Sequence, residues 1–218
     1  MKKKLSFLSS ALLMLMAMIL KPLGAHAQSE EAIISFHTNV YEKAQGTGVT
    51  PSVSFVLGAA NTKQVVSIDC GNGEEEFDVD VAQTGENQSI KGSLYTGQVS
   101  KDGWVKIYGD PSQIYYFNAS GNEIDAIKFN SNLGLRVLNL EHNVLTSLNI
   151  DDLKGLQVIY LQDNPFAKAT PLMIGSLPNL LVLEIPQIGH ISPNFTLHNF
   201  PALRSFDAYH TLTLTSVD

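Results

Sequence analysis

The 218-residue sequence predicts a mainly β chain, in which a small antiparallel β-sandwich is followed by a solenoid of about five repeats. Three observations carry that expectation. Apolar residues return in one phase every 21 to 24 positions through the second half. Asparagine returns at a fixed place in that phase. Residues 31–110 instead alternate apolar and polar side chains with period two, broken by glycine turns.

The repeat is plainest at Leu135, Leu138, Leu140, Asn143 and Leu145. Twenty-one residues earlier stand Ile114, Phe117, Ala119, Asn122 and Ile124, and twenty-one later Leu156, Ile159, Leu161, Asn164 and Phe166. Two looser copies follow, Leu180-Leu183-Ile185 and Leu203-Phe206-Ala208. The spacing L-x-x-L-x-L-x-x-N-x-L is that of the leucine-rich repeat. Each L-x-L lies on a short strand and sends its apolar side chains inward, and stacking the strands closes a core that no single copy can close. The asparagine amide both donates to and accepts from backbone groups left open by the turn, so Asn122, Asn143 and Asn164 form an expected structural ladder. Ile188 and Thr211 replace it in the last two copies, which are therefore expected to be less regular.

Between the strands, Ile124, Ile127 and Phe129 correspond to Leu145, Leu148 and Ile150, a second apolar ridge on the return side. The longer third return, 170–179, has room for one helical turn with Pro171 at its start.

The chain divides into three expected segments. Residues 1–27 read as a secretory signal peptide, with Lys2, Lys3 and Lys4, an apolar stretch from Leu5 to Leu20, and the small residues Ala25 and Ala27 at the cleavage site. Its apolar run is short for a membrane span. Residues 28–103 read as the β-sandwich, from the alternating Ile34/Phe36, Val53/Phe55/Leu57, Val66/Ile68/Cys70 and Phe77/Val79/Val81. Residues 104–218 read as the solenoid, with the stretch from Trp104 to Asp110 adding a first cap strand to its sheet.

Cleavage leaves 10 basic and 21 acidic residues, a formal charge of −11, which disfavours nucleic acid as a partner. The single cysteine, Cys70, can form no internal disulfide and reads as a buried structural thiol. The crowded acids Asp69, Glu74, Glu75 and Glu76 match no calcium loop and read as a solvated turn. His142 and His210 lack a third ligand in phase, so no metal and no cofactor is assigned. No catalytic signature occurs, and no enzymatic activity is expected.

The residues from Trp104 to Asn122 and the two full repeats after them resemble the secreted leucine-rich repeat proteins of Bacteroidetes, in which a small β domain precedes an internalin-like solenoid. The stretch from Ile68 to Gly73 is similar to the Asp-x-Gly-Asp-Gly turn of polycystic-kidney-disease-like immunoglobulin folds, with Asn72 in place of the usual aspartate. The resemblance implies an exported protein, periplasmic, extracellular or on the cell surface, that binds proteins or surface glycans. The residues between the inward leucines line the expected concave face: Tyr116 and Asn118, Asn139 and Glu141, Tyr160 and Gln162, Glu184, then Asp207 and Tyr209. Tyrosine supplies contact area at low entropic cost, which makes this face the expected partner site. The alternative is a structural or adhesin-type component that self-associates through the strand-like C-terminal edge at 211–218.

Overall fold

A computed structural model of the chain describes residues 31–84, 90–169, 172–192 and 195–210. The expected leader at 1–27 and the C-terminal edge at 211–218 lie outside them. The described chain is mainly β. It runs β1 (Ile34–Thr38), a short helix α1 (Val40–Ala44), β2 (Ser52–Ala59), β3 (Gln64–Asp69), β4 (Glu74–Val79), β5 (Gln83–Thr84), β6 (Ile90–Lys91), β7 (Ser93–Gln98) and β8 (Trp104–Tyr108). A 3-10 turn at Pro111–Gln113 leads into β9 (Ile114–Asn118) and β10 (Ile124–Phe129). The three-residue strands β11 (Val137–Asn139), β12 (Val158–Tyr160), β13 (Val182–Glu184) and β14 (Ser205–Asp207) follow.

Two sheets hold these strands, apart from the small β5–β6 hairpin. One is antiparallel, in the order β10-β1-β8-β3-β4. The other runs β14-β13-β12-β11-β9-β2-β7, and its members β9 and β11 to β14 are parallel. Five parallel strands one beside the next make a solenoid-like stretch of four turns. Phe117 and Ala119, Leu138 and Leu140, Ile159 and Leu161, and Leu183 and Ile185 all point inward and are fully buried. Each of these side chains except the small Ala119 contributes about 1.5–3 kcal/mol of burial. The last coil is looser, with Leu203, Phe206 and Ala208 only partly buried, but the fourth is not: Leu180, Leu183, Ile185 and Ile188 are fully buried there although Ile188 replaces the asparagine.

The strand beside the first coil is a different one from that expected. Trp104–Tyr108 belongs to the other sheet, where it pairs antiparallel with β1 on one side and β3 on the other. Both of its edges are thereby hydrogen-bonded, and Val105 and Ile107 are fully buried between them. Asp110, which sits at the repeat's asparagine position, instead caps the 3-10 turn that carries the chain across to the second sheet, accepting from Ser112 N at 2.9 Å. The place next to β9 is taken by β2, in antiparallel pairing. Strands from before and after residue 103 therefore share both sheets. Phe36 of β1, Phe55 of β2 and Phe117 of β9 meet between them, with ring centroids 5.7–6.2 Å apart.

The return segments also differ from one another. Ile124–Phe129 becomes a strand because β1 offers it an antiparallel partner, although Ile127 and Phe129 are only partly buried, while Leu145, Leu148 and Ile150, all buried but without such a neighbour, stay irregular. The described part of the third return, 172–179, contains no helix. Leu172 there bridges in parallel to Ile191 and donates its N–H to His190 O at 2.8 Å.

Glu123 (55°) has positive φ after the first parallel strand, and in all five turns so does one residue at a common place: Gly121 (68°), His142 (53°), Asp163 (55°), Gln187 (55°) and His210 (56°). The next residue in the first three coils is a buried asparagine. Asn143 Oδ1 accepts from Asn122 N and Ile124 N, both at 3.0 Å, while its Nδ2 donates to Ala119 O, Leu140 O and Glu141 O at 2.9–3.1 Å. Asn164 repeats the arrangement one coil later, accepting from Leu145 N and donating to Leu140 O and Leu161 O. Asn122 has β2 as its neighbour instead. Its Oδ1 accepts from Ser54 N and its Nδ2 donates to Ser54 O, both at 2.8 Å.

Asn143→Ala strands several buried backbone groups at about 1–3 kcal/mol each, and it is expected to cost at least about 3 kcal/mol in urea unfolding. Two substitutions in the fourth coil should move stability in opposite directions. A Cβ at Gly189 would lie 2.0 Å from Phe166 O, so Gly189→Ala should cost about 1–3 kcal/mol. Gln187→Gly removes a left-handed non-glycine residue and should gain up to about 1 kcal/mol. The pair is checked by thermal melts run side by side.

Candidate functional site: the outward face of the seven-stranded sheet

Alternation along each strand sends every second side chain away from the core, and the ladder register sets which of them stand side by side. One lateral row crosses all seven strands: Leu94, Val56, Asn118, Asn139, Tyr160, Glu184 and Asp207. A second row runs Tyr116, Val137, Val158, Val182 and Ser205. Beyond the strand ends stand Glu141, Gln162 and Tyr209. The expected contact residues therefore share one sheet face, with five strand-borne members, Asn118, Asn139, Tyr160, Glu184 and Asp207, in a single row.

Their availability differs. Tyr209 is 66% exposed and stacks on His210 at 4.0 Å. Asn118, Asn139, Glu141, Tyr160, Gln162 and Glu184 are half-buried, and Asp207 is exposed. Tyr116 is buried, with only 7% of its surface accessible. The crowding comes from β2: a Cβ at Gly58 would lie 3.1 Å from Tyr116 Cβ and 2.8 Å from Ala82 Cβ, so glycine is required there and the chain packs closely beside the tyrosine. Tyr116 serves the face from below, its hydroxyl accepting from Asn118 Nδ2 at 3.2 Å.

Part of the polar chemistry is local. Asn118, Asn139 and Asp207 each accept, through Oδ1, from the backbone N–H two residues on, at 2.9–3.0 Å. These side chains stop the strand as well as facing solvent. Asn139 also orients Glu141, donating from Nδ2 to Oε2 at 2.9 Å. Gln162 donates to Asp163 Oδ2 at 3.2 Å, and the same oxygen lies 2.9 Å from His142 Nδ1, linking two coils at their left-handed turns.

Carboxylates dominate the far end. Glu184 and Asp207 are adjacent in the row, on neighbouring parallel strands. Partial burial, with the Glu141 and Asp207 charges behind it, pushes the Glu184 carboxyl above its ordinary value of 4.5. Partial burial and the Glu184 and Glu141 carboxylates likewise push the Tyr160 hydroxyl up. No lysine or arginine occupies an outward position on β9 or on β11 to β14.

At the opposite end the structure adds residues that the division into a separate sandwich concealed. Leu94, 65% exposed, and half-buried Val56 extend the row as an apolar patch, with Ser54 and Thr96 hydrogen-bonded to each other at 2.9 Å alongside. The signal available was the alternation of Leu94 with buried Tyr95. The missing information was that β2 and β7 continue the solenoid's own sheet.

The remaining candidates fall elsewhere. Asp69 spends Oδ1 on Gly71 N and Gly73 N, Glu74 accepts from Ser67 Oγ, and Glu75 accepts from the Tyr95 hydroxyl. Cys70 is buried against Tyr95, and burial raises its thiol despite that hydrogen bond. Among the described residues no three His, Cys, Asp or Glu are grouped to hold a metal, and no helix is long and apolar enough to cross a membrane. Comparison of the chain with family models, with curated proteins and with solved structures finds no match.

A carboxyl whose proton is held more tightly in the folded state loses stability as pH rises through its folded-state value. Glu184→Gln should therefore raise the melting temperature at pH 7. The gain should vanish when the melts are repeated below 4.5, where the wild-type carboxyl is itself protonated.

Proposed function

We propose that the parallel coils form a leucine-rich repeat solenoid of the kind found in secreted Bacteroidetes proteins, and that the chain is an exported module binding a protein or surface glycan through the outward face. The observation carrying this reading is the in-register row of half-exposed aromatic, amide and carboxylate side chains across the sheet. A rigid ladder fixes their spacing before any ligand arrives, which lowers the entropic cost of binding. Their inward neighbours already satisfy the core, so the outward identities are free to serve recognition.

Export is supported by the charged, apolar and small-residue order of positions 1–27. Binding is preferred to catalysis because the ionisable groups gathered at the far end, Glu141, Tyr160, Glu184 and Asp207, stand on the open outward face of a sheet. A second reading, a surface-assembly component, draws on β14, whose one strand neighbour among the described residues is β13. Light scattering separates the two: a monomer over a wide concentration range removes assembly through that edge.

Tyr160→Ala combined with Tyr209→Ala should reduce capture of the partner from bacterial-surface and host extracts by about tenfold or more, with the circular dichroism spectrum unchanged. Undiminished capture by the folded double variant would remove the face as the binding surface.

A further inference from the structure

Resting on that reading of the face, we infer that its partner is an extended protein segment lying across the strands, with an apolar side chain at one end and a cluster of lysine or arginine at the other. The row is graded along its length. It begins with exposed Leu94 and half-buried Val56, passes through the amides of Asn118 and Asn139 and the ring of Tyr160, and ends at Glu184 and Asp207. Such a gradient gives the site a direction as well as a composition.

The charged end selects the occupant. Like charges standing opposite each other on neighbouring strands are unfavourable, and the fold does not require both charges: Leu183 and Phe206 supply the packing, and the bond that Asp207 accepts from Tyr209 N–H is one that Asn118 and Asn139 make as neutral amides. No outward lysine or arginine on the parallel strands compensates them. A cationic side chain from outside would. Its aliphatic stem would lie along Val158 and Val182 of the adjacent row, and its charge would reach the carboxylates. Tyr160 stands next to Glu184 in the row, so its ring face is within reach of the same cation. A neutral glycan would leave the paired carboxylates uncompensated, an anionic one would be repelled, and a second copy of this face would bring no cation.

Strand spacing sets the ruler. Neighbouring strands lie about 4.8 Å apart, so Leu94 and the Glu184–Asp207 pair are separated by about 26 Å. An extended chain rising roughly 3.3 Å per residue covers that distance in about eight residues. The partner's apolar and basic groups should therefore be about eight residues apart.

The probe is a fluorescein-labelled peptide with two leucines and two lysines joined by a serine/threonine spacer of about seven residues, read by fluorescence anisotropy against the full chain. Binding should weaken roughly tenfold in Glu184→Gln with Asp207→Asn. It should remain in Glu76→Gln with Asp152→Asn, which removes the same charge from exposed positions on β4 and on a return. It should also weaken when the spacer is shortened to about two residues, when lysine is replaced by glutamate, and as salt rises. A peptide that does not bind, or one weakened equally by both double variants, overturns the inference. If Tyr160→Ala with Tyr209→Ala still abolishes capture of the natural partner in that case, the face stands as a binding surface and only the cationic segment is lost.

Discussion

Where each parallel strand ends, the chain turns away from its neighbour and leaves backbone carbonyls and N–H groups inside the protein with no partner in the ladder. A buried peptide group left open costs about as much as a good hydrogen bond is worth, so a coil of this kind cannot stack until the turn is satisfied. Asn143 and Asn164 meet that requirement, each donating to carbonyls of its own coil and of the coil before. Leu140 O accepts from both. The coils are therefore joined through side chains as well as through the sheet. The strand register that places Asn118, Asn139, Tyr160 and Glu184 in one line depends on those joints.

The same constraint explains how the solenoid begins. An open first coil would expose Phe117 and Ala119 at its end and leave Asn122 without a predecessor to bond. Here β2 runs beside β9 in the opposite direction, and Asn122 takes both the N–H and the carbonyl of Ser54, the interaction that a preceding coil would have supplied. The aromatic cluster of Phe36, Phe55 and Phe117 fills the space behind that junction. Capping by a strand widens the sheet. The surface continues across β2 and β7, and it gains at that end the apolar side chains that the coils do not provide.

Periodic features were legible in the sequence and pairing choices were not. The 21-residue return of Leu138, Leu140 and Asn143 marks strand, core and turn together because one physical unit repeats, so their burial could be anticipated from spacing alone. The stretch from Trp104 to Asp110 misled because Val105 and Ile107 alternate as a strand in either sheet; alternation says which side chains are inward and nothing about which neighbour completes the ladder. A return as short as that of Ile124 and Ile127 favours an extended or single-turn segment, but its pairing as a strand was hidden for the converse reason. That pairing depends on β1, some ninety residues away in sequence. On the candidate face, outward positions followed from phase, but the burial of Tyr116 did not, since it depends on Gly58 arriving from the other segment.

Natural sequences break local preferences either where backbone geometry demands it or where function does, and the two cases can be separated here. The left-handed residues His142, Asp163, Gln187 and His210 recur at every turn, so their strain belongs to the coil and is offset by the hydrogen bonds that the turn makes possible. The adjacency of Glu184 and Asp207 does not recur. The same row carries Asn118 and Asn139 on the first two parallel strands and Tyr160 on the third, so the geometry accepts neutral side chains at this position. Amides would keep the bond that Asp207 accepts from Tyr209 N–H and would remove the repulsion, so the second negative charge has no structural return, and the proposed cationic partner would supply one.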